Sequence, residues 1–475
     1  MNLKNSGTGI VALAAFAAGL GSCGEETEHR PPNIIFIMTD DLGYNDLGSY
    51  GATLIRTPVL DRMAAEGMRF TQHYAGSTVC APSRAVLMTG QHTGHVAIRG
   101  NRQAEPHGQM PLPASTITVP SLLRQAGYTS AMIGKWGLGV QGTDGEPTNH
   151  GFDYYFGYLD QVLAHNHYPE YLIRNGEKVM LNNVVQYLYT RHWSRGYGSY
   201  PLEMNDYSQD HFTRETLQFV EENRDRPFFL YYPVIIPHAN GEALPGKSFS
   251  EVPCFGIYAD SLWTEEEKGY AAMISHLDGE IGQLLDKLEE LGIDENTVIF
   301  FTSDNGGDSP GRFAEISNYP FRGIKRDLYE GGIRVPLIAR WPGRIPPGTV
   351  SDHISAFWDF LPTFCELAGI ELPEGHTDGI SILPSLLGEN DNQEAHDHLY
   401  WEVHFWMKHQ AVRKGNWKAV RNNLERDPDA PIELYNLSAD PGERFDLAEE
   451  YPEVVKEMAE IMINAREDDP NWPLS

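Results

Sequence analysis

Residues 33–39, N-I-I-F-I-M-T, form a nearly unbroken apolar run of strand length that ends on Asp40-Asp41. A strand with no polar alternation is buried on both faces, as in the middle of a parallel sheet. Such a sheet needs helices on either side, so this run restricts the chain to an α/β architecture. The rest of the sequence agrees. Residues 58–66 read as a helix, and 128–133, 228–235, 297–302 and 335–340 read as further strands. Between them, Met273, Ile274, Leu277, Ile281, Leu284, Leu285 and Leu288 recur at helical spacing, which predicts a long amphipathic helix over 265–291. Alternating strands and helices imply a large, mostly parallel sheet sandwiched by helices. A chain of 475 residues has room for a smaller second unit. Around 376–395 it turns rich in Gly, Pro, Asp, Glu and Asn, and beyond lie short strands at 398–402, 411–413, 417–421 and 432–435, then a helix over 453–466. These predict a small C-terminal antiparallel sheet subdomain with one helix, spanning 393–475 after a main domain at 33–392.

Two acidic pairs follow apolar strands: Asp40-Asp41 after the first run, and Asp304-Asn305 after 297–302. In open α/β sheets ligands bind at the carboxyl ends of strands, so both pairs can converge on one site. Alone, each pair is more often a turn or a helix cap. Together, their carboxylates and amide oxygen make a hard, all-oxygen set suited to Ca²⁺, with Mg²⁺ as the alternative.

Residues 80–90 read C-A-P-S-R-A-V-L-M-T-G. Pro82 suits a first helical turn and 85–88 are adequate helix formers, so Cys80 is expected at a helix N-terminus, where free amides favour an anion. Arg84 then lies one turn on, within reach of the group at position 80.

This C-x-P-S-R…T-G motif resembles the active-site signature of the formylglycine-dependent (type I) sulfatases of the alkaline-phosphatase-like superfamily. The resemblance extends to D-D at 40–41, D-N-G at 304–306, G-K-W at 134–136, I-I-P-H at 235–238, F-R-G-I-K-R at 321–326 and E-L-Y-N-L-S-A-D-P-G-E at 433–443. It implies that a maturation enzyme oxidises Cys80 to formylglycine, whose hydrate supplies the nucleophilic oxygen. A divalent cation is then held by Asp40, Asp41, Asp304 and Asn305 beside Cys80. The resemblance assigns Lys135 and Lys325 to sulfate oxygens and His238 to protonation of the departing alkoxide. One position departs from the family pattern: where sulfatases commonly read G-K-W-H-L-G, this chain has Gly137. The histidine that usually bonds the hydrate is therefore absent, and His165 or His167, or Arg84 with the metal, are the candidates to replace it.

Segments 152–171 and 187–200 combine aromatic rings with histidines, and the second adds arginines. Rings stack on sugar faces while polar tips bond hydroxyls, which makes His165, His167, Arg191 and His192 candidate substrate contacts, although most such aromatics are core. His404, in W-E-V-H-F-W, lies in a segment similar to those lining the pocket mouth of glycan sulfatases. A sulfated carbohydrate is the expected substrate, with galactose or N-acetylgalactosamine sulfate favoured. The rivals are a phosphatase or phosphodiesterase of the same superfamily, and a non-catalytic surface glycan-binding protein.

The formal net charge of −30 argues against nucleic acid as a partner, and an anion site in so acidic a chain must be cationic locally. An apolar run at 10–20, preceded by Lys4 and followed by L-G-S-C, resembles a bacterial lipoprotein signal with residues 1–22 removed, 23–32 as linker and Cys23 lipidated. An ordinary secretory signal is the alternative. Both lead to export, here to a periplasmic or surface location on the membrane. Cys254 and Cys365 remain, and both are expected to be packed thiols outside any disulfide framework.

Overall fold

The computed structural model describes residues 30–104, 109–188, 198–243, 248–405 and 407–474, so Cys23, Arg191 and His192 lie outside the described residues. Ten strands form the main sheet. In chain order they are β1 (Asn33–Asp40), β2 (Met68–Phe70), β3 (Thr129–Lys135), β4 (Tyr154–Tyr158), β5 (Tyr171–Arg174), β6 (Glu177–Met180), β7 (Phe228–Pro237), β8 (Thr297–Ser303), β9 (Leu337–Arg340) and β10 (Thr349–Ser351). Their spatial order is β10-β2-β9-β8-β1-β7-β3-β4-β5-β6. The central strands β8, β1, β7, β3 and β4 are mutually parallel.

As its sequence requires, β1 lies in the middle, with Ile34 through Met38 each 0% exposed. Phe36 points into an aromatic cluster with Phe300, Phe360 and Phe364; its ring meets Phe360 edge-on at 4.7 Å. The helix expected over 265–291 runs Glu265–Glu290, opened by a capping box in which Thr264 accepts from the Glu267 amide and the Glu267 carboxylate accepts from the Thr264 amide.

The strand read at 335–340 is β9, and within this mostly parallel sheet it runs antiparallel to β8. Short apolar runs carry no direction, and the chain returns here through a loop instead of a covering helix. Residues 152–171, read as a candidate sugar-binding stretch, hold β4, whose Tyr155, Phe156 and Tyr158 are core.

The small sheet contains β11 (Leu399–His404), β12 (Lys408–Lys414), β13 (Trp417–Arg421) and β14 (Ile432–Asn436), all antiparallel. Its side chains alternate between faces. Tyr400, Val412, Ala419 and Leu434 pack against Met458 and Met462 of the last helix, Pro452–Asn464. Trp401, Val403, Ala411 and Val420 enter the core of the main sheet, so the small sheet shares that core. Cys365 is buried, whereas Cys254 is exposed and is not the packed thiol expected. No helix among the described residues is long and apolar enough to cross a membrane.

Candidate active site

Strand register assembles the site. Thr39 pairs with Ser303, and Asp40 pairs with Pro237, so Asp40, Asp304 and His238 emerge side by side at the carboxyl edge of the sheet. Lys135 ends β3, next to β7. A helix begins at Cys80 (Cys80–Thr89) and ends on Gly90, whose φ of 68° provides the left-handed cap. Its first residue meets that edge: the Cys80 thiol donates to Asp40 Oδ1 at 3.4 Å.

Buried ions fill the floor. Lys135 Nζ donates to Asp40 Oδ2 at 2.6 Å, and Lys325 Nζ donates to Asp41 Oδ2 at 2.7 Å. Arg84 donates to Asp304 Oδ2 at 2.8 Å and to the Lys135 carbonyl at 2.5 Å, so its donors brace the carboxylates and the β3 end instead of reaching for Cys80. Asp41 adopts φ 67°, which folds its carboxylate back toward Asn305, whose amide nitrogen donates to it at 2.7 Å. His238 donates its Nδ1 proton to the Ala239 carbonyl at 2.7 Å, leaving Nε2 3.5 Å from Asp41 Oδ2.

Burial and charge set the protonation states. Burial opposes the Asp40 charge, but Lys135, His238, Arg84 and Lys325 outweigh it and hold this carboxyl well below the usual range. Asp41 is raised by burial and Asp304 is pushed up to about 7 by burial, with the Asp40 charge adding to both. Burial and Asp40 together push the Cys80 thiol up to about 12, so it rests as a neutral thiol despite its helix N-terminus. His238 is held well below its ordinary value by burial and by Lys325.

The residues fit a divalent cation. Asp41 and Asp304 crowd so closely that the Asp41 amide reaches Asp304 Oδ1 at 3.3 Å. Asn305 Oδ1 is buried and has no protein partner. Donor atoms of Asp40, Asp41, Cys80 and His238 lie within 4.8 Å of one another. A hard cation among these oxygens would satisfy the orphaned amide oxygen and relieve the carboxylates that burial pushes toward protonation.

Above this floor opens a cavity of 290 Å³ whose walls include Cys80, Asp41, Lys325, His238, His165, Gln161, Glu242 and Phe405. His165 is therefore at the wall as expected; its Nδ1 pairs with Glu242 at 3.0 Å, and its ring stacks on His238 at 4.7 Å. His167, also read as a substrate contact, lies behind the cavity wall. It is 0% exposed and gives Nε2–H to the His238 carbonyl at 2.8 Å, bracing that loop from behind. His404 also turns inward, pairing with Glu402 at 3.0 Å, and its neighbour Phe405 lines the cavity instead. Strand alternation explains the difference, since adjacent residues at the end of β11 face opposite ways. Sequence reading missed Glu242, Gln161, Asp160 and the Arg326–Asp308 pair (2.5 Å). Glu242 takes part through His165, 77 residues away in sequence, and Gln161 lies against Gly137, 24 residues away, so no local string marks either.

Known proteins carry the same signature. The Sulfatase family model matches residues 32–370, and that of the N-sulphoglucosamine sulphohydrolase C-terminal region matches 323–468. The chain is 32% identical to N-acetylgalactosamine-6-sulfatase of Canis lupus familiaris, over 95% of this chain and 88% of that one. It is 33% identical to arylsulfatase A of Homo sapiens, covering 95% of this chain and 90% of the relative. The crystal structure of Ps i-CgsB in complex with k-i-k-neocarrahexaose superposes with a TM-score of 0.76 at 27% identity, covering 94% of this chain and 95% of that one. From its core strands to its C-terminal sheet, the chain belongs to the sulfatase family, the enzymes that hydrolyse sulfuric esters.

Proposed function

We propose that this sulfatase acts on a sulfated carbohydrate, most readily a galactose or N-acetylgalactosamine sulfate, with position 80 matured to formylglycine by a separate enzyme and with Ca²⁺, or Mg²⁺ in its place, as the bound ion. The observation that carries this reading is the balance of charge beneath Cys80. Asp40, Asp41 and Asp304 face Arg84, Lys135 and Lys325, three acids against three bases, so a bound cation makes the floor positive even with every carboxyl ionised. In a chain of net charge −30, that local surplus is what attracts a sulfate.

When bound, the ion supplies Lewis acidity toward a sulfate oxygen, and the matured residue supplies the attacking oxygen. This chain's own side chains do the rest. Lys325, at the cavity wall, brings fixed positive charge to the place where sulfate charge builds up. Lys135 is 0% exposed, so it acts through Asp40 and does not touch substrate in this geometry. Arg84 fixes Asp304, and His238 lines the cavity with its Nδ1 proton given to the Ala239 carbonyl, so it serves the leaving oxygen as an acid once Nε2 has taken up a proton. The sugar class is supported by the hydrogen-bonding side chains in the cavity wall, Gln161, His165 and Glu242 among them, and by a relative that is an N-acetylgalactosamine-6-sulfatase. Export on a lipid-modified Cys23 is part of the same proposal and rests on the L-G-S-C pattern alone.

The test is sulfate release from a panel of 6-O- and 4-O-sulfated galactose and N-acetylgalactosamine by protein from a host that matures position 80. Release from one of these above all others is expected. Turnover confined to phosphate esters would overturn the reading.

A further inference from the structure

Where β3 ends, the backbone is stitched to the residues after β4: the Trp136 amide donates to the Tyr158 carbonyl at 2.8 Å and the Gly137 amide to the Leu159 carbonyl at 3.3 Å. The chain then turns at Asp160, whose carboxylate accepts from the amides of Val162 at 2.9 Å and Leu163 at 2.8 Å. This turn delivers Gln161 and His165 to the wall of the cavity that contains Cys80.

Gln161 occupies space that Gly137 leaves open. A Cβ on Gly137 would stand 2.1 Å from Gln161 Nε2 and 2.8 Å from its Cδ, and Gly137 has φ 76°. A side chain at this position would have to push the Gln161 amide aside and would also strain the left-handed backbone. The glycine therefore gives the cavity wall to a side chain that arrives from a different strand connection. Charged groups around it are engaged: Lys325 with Asp41, Arg326 with Asp308 and His165 with Glu242. Gln161 is only 7% exposed, and among the described residues its amide nitrogen donates in a long 3.5 Å contact to the Gly137 carbonyl. A neutral amide with both donor and acceptor is matched to a hydroxyl, which also gives and accepts one hydrogen bond.

We propose that Gln161 is a specificity-determining residue that bonds a hydroxyl of the sulfated sugar, seated by the missing side chain at Gly137. This rests on the carbohydrate-sulfatase reading above. The test compares kcat/KM for the best sulfated sugar with that for 4-methylumbelliferyl sulfate, which has no sugar hydroxyls. In Gln161→Ala the ratio of sugar to aryl ester falls about tenfold, as expected for one lost hydrogen bond in a buried site. Gly137→Ala displaces the amide and gives a similar fall, and the double variant is no worse than either single one. Gln161→Glu, which keeps size but loses the donor, tests the same bond if Gly137→Ala does not fold. Equal losses on both esters, or additive losses in the double variant, would overturn the proposal. If the wild type turns over neither ester, the reading of the preceding section fails. Calorimetric binding of the sulfated sugar then decides on Gln161 separately: about tenfold weaker binding in Gln161→Ala sustains it, and equal affinity refutes it.

Discussion

At the scale of single residues, the floor of the cavity keeps Cys80 a neutral thiol. Catalytic thiolates need a lowered pKa, and here burial and Asp40 push the thiol the other way. Lys325 offers the sharpest residue-level test, because it is buried, lines the cavity and touches a carboxylate of the proposed ion site. Lys325→Ala should lower kcat/KM by about two to three orders of magnitude, measured by sulfate release, with the fold intact by circular dichroism. Much of this site is legible in the sequence, because Asp40-Asp41, Asp304-Asn305 and C-x-P-S-R are local strings placed at strand and helix ends. His167 and His404 are misjudged from sequence for a physical reason. A histidine in a loop looks the same whether it faces a cavity or braces a neighbouring carbonyl, and only the fold tells which.

At the scale of elements, the fold is legible wherever burial is complete. The unbroken run of β1 and the helical spacing of Glu265–Glu290 emerge at their expected positions. The direction of β9 and the β4–β6 meander do not, since periodicity records burial and not orientation. The small sheet is joined to the main one by ions as well as by packing. Glu402 on β11 meets Arg99 at 3.0 Å and Arg466, beyond the last helix, at 2.8 Å. Burial opposes its charge, yet hydrogen bonds from His404 and Arg466 and the Arg99 charge prevail, and its carboxyl falls to about 2. Folding thus lowers this pKa from an ordinary value of about 4.3. The linked stability is present above that value and disappears as pH falls toward about 2. Glu402→Gln should destabilise by about 3–5 kcal/mol at neutral pH, through the uncompensated arginines. In thermal melts its Tm deficit should shrink between pH 4.5 and the acid limit; a deficit independent of pH would assign the loss to packing.

At the scale of the whole molecule, a chain of net charge −30 surrounds a site built to receive an anion. Long-range repulsion and short-range attraction therefore compete, and salt separates them because it screens beyond about 8 Å at 0.15 M while sparing buried ions. For a polysulfated oligosaccharide, KM should fall as salt rises from 10 to about 150 mM, whereas KM for a monosulfated monosaccharide should change little. A rise in both would mean that the exterior field assists capture. The central claim is that position 80, held against Asp40 at the edge of the sheet, carries the chemistry. Its most direct test is sulfate release from a 6-sulfated galactose by matured protein beside Cys80→Ala, with calorimetry to follow binding. Loss of turnover to background in Cys80→Ala, with sugar binding retained within about threefold, is the predicted result. Turnover undiminished in Cys80→Ala would contradict the account, because the chemistry would then not run through position 80.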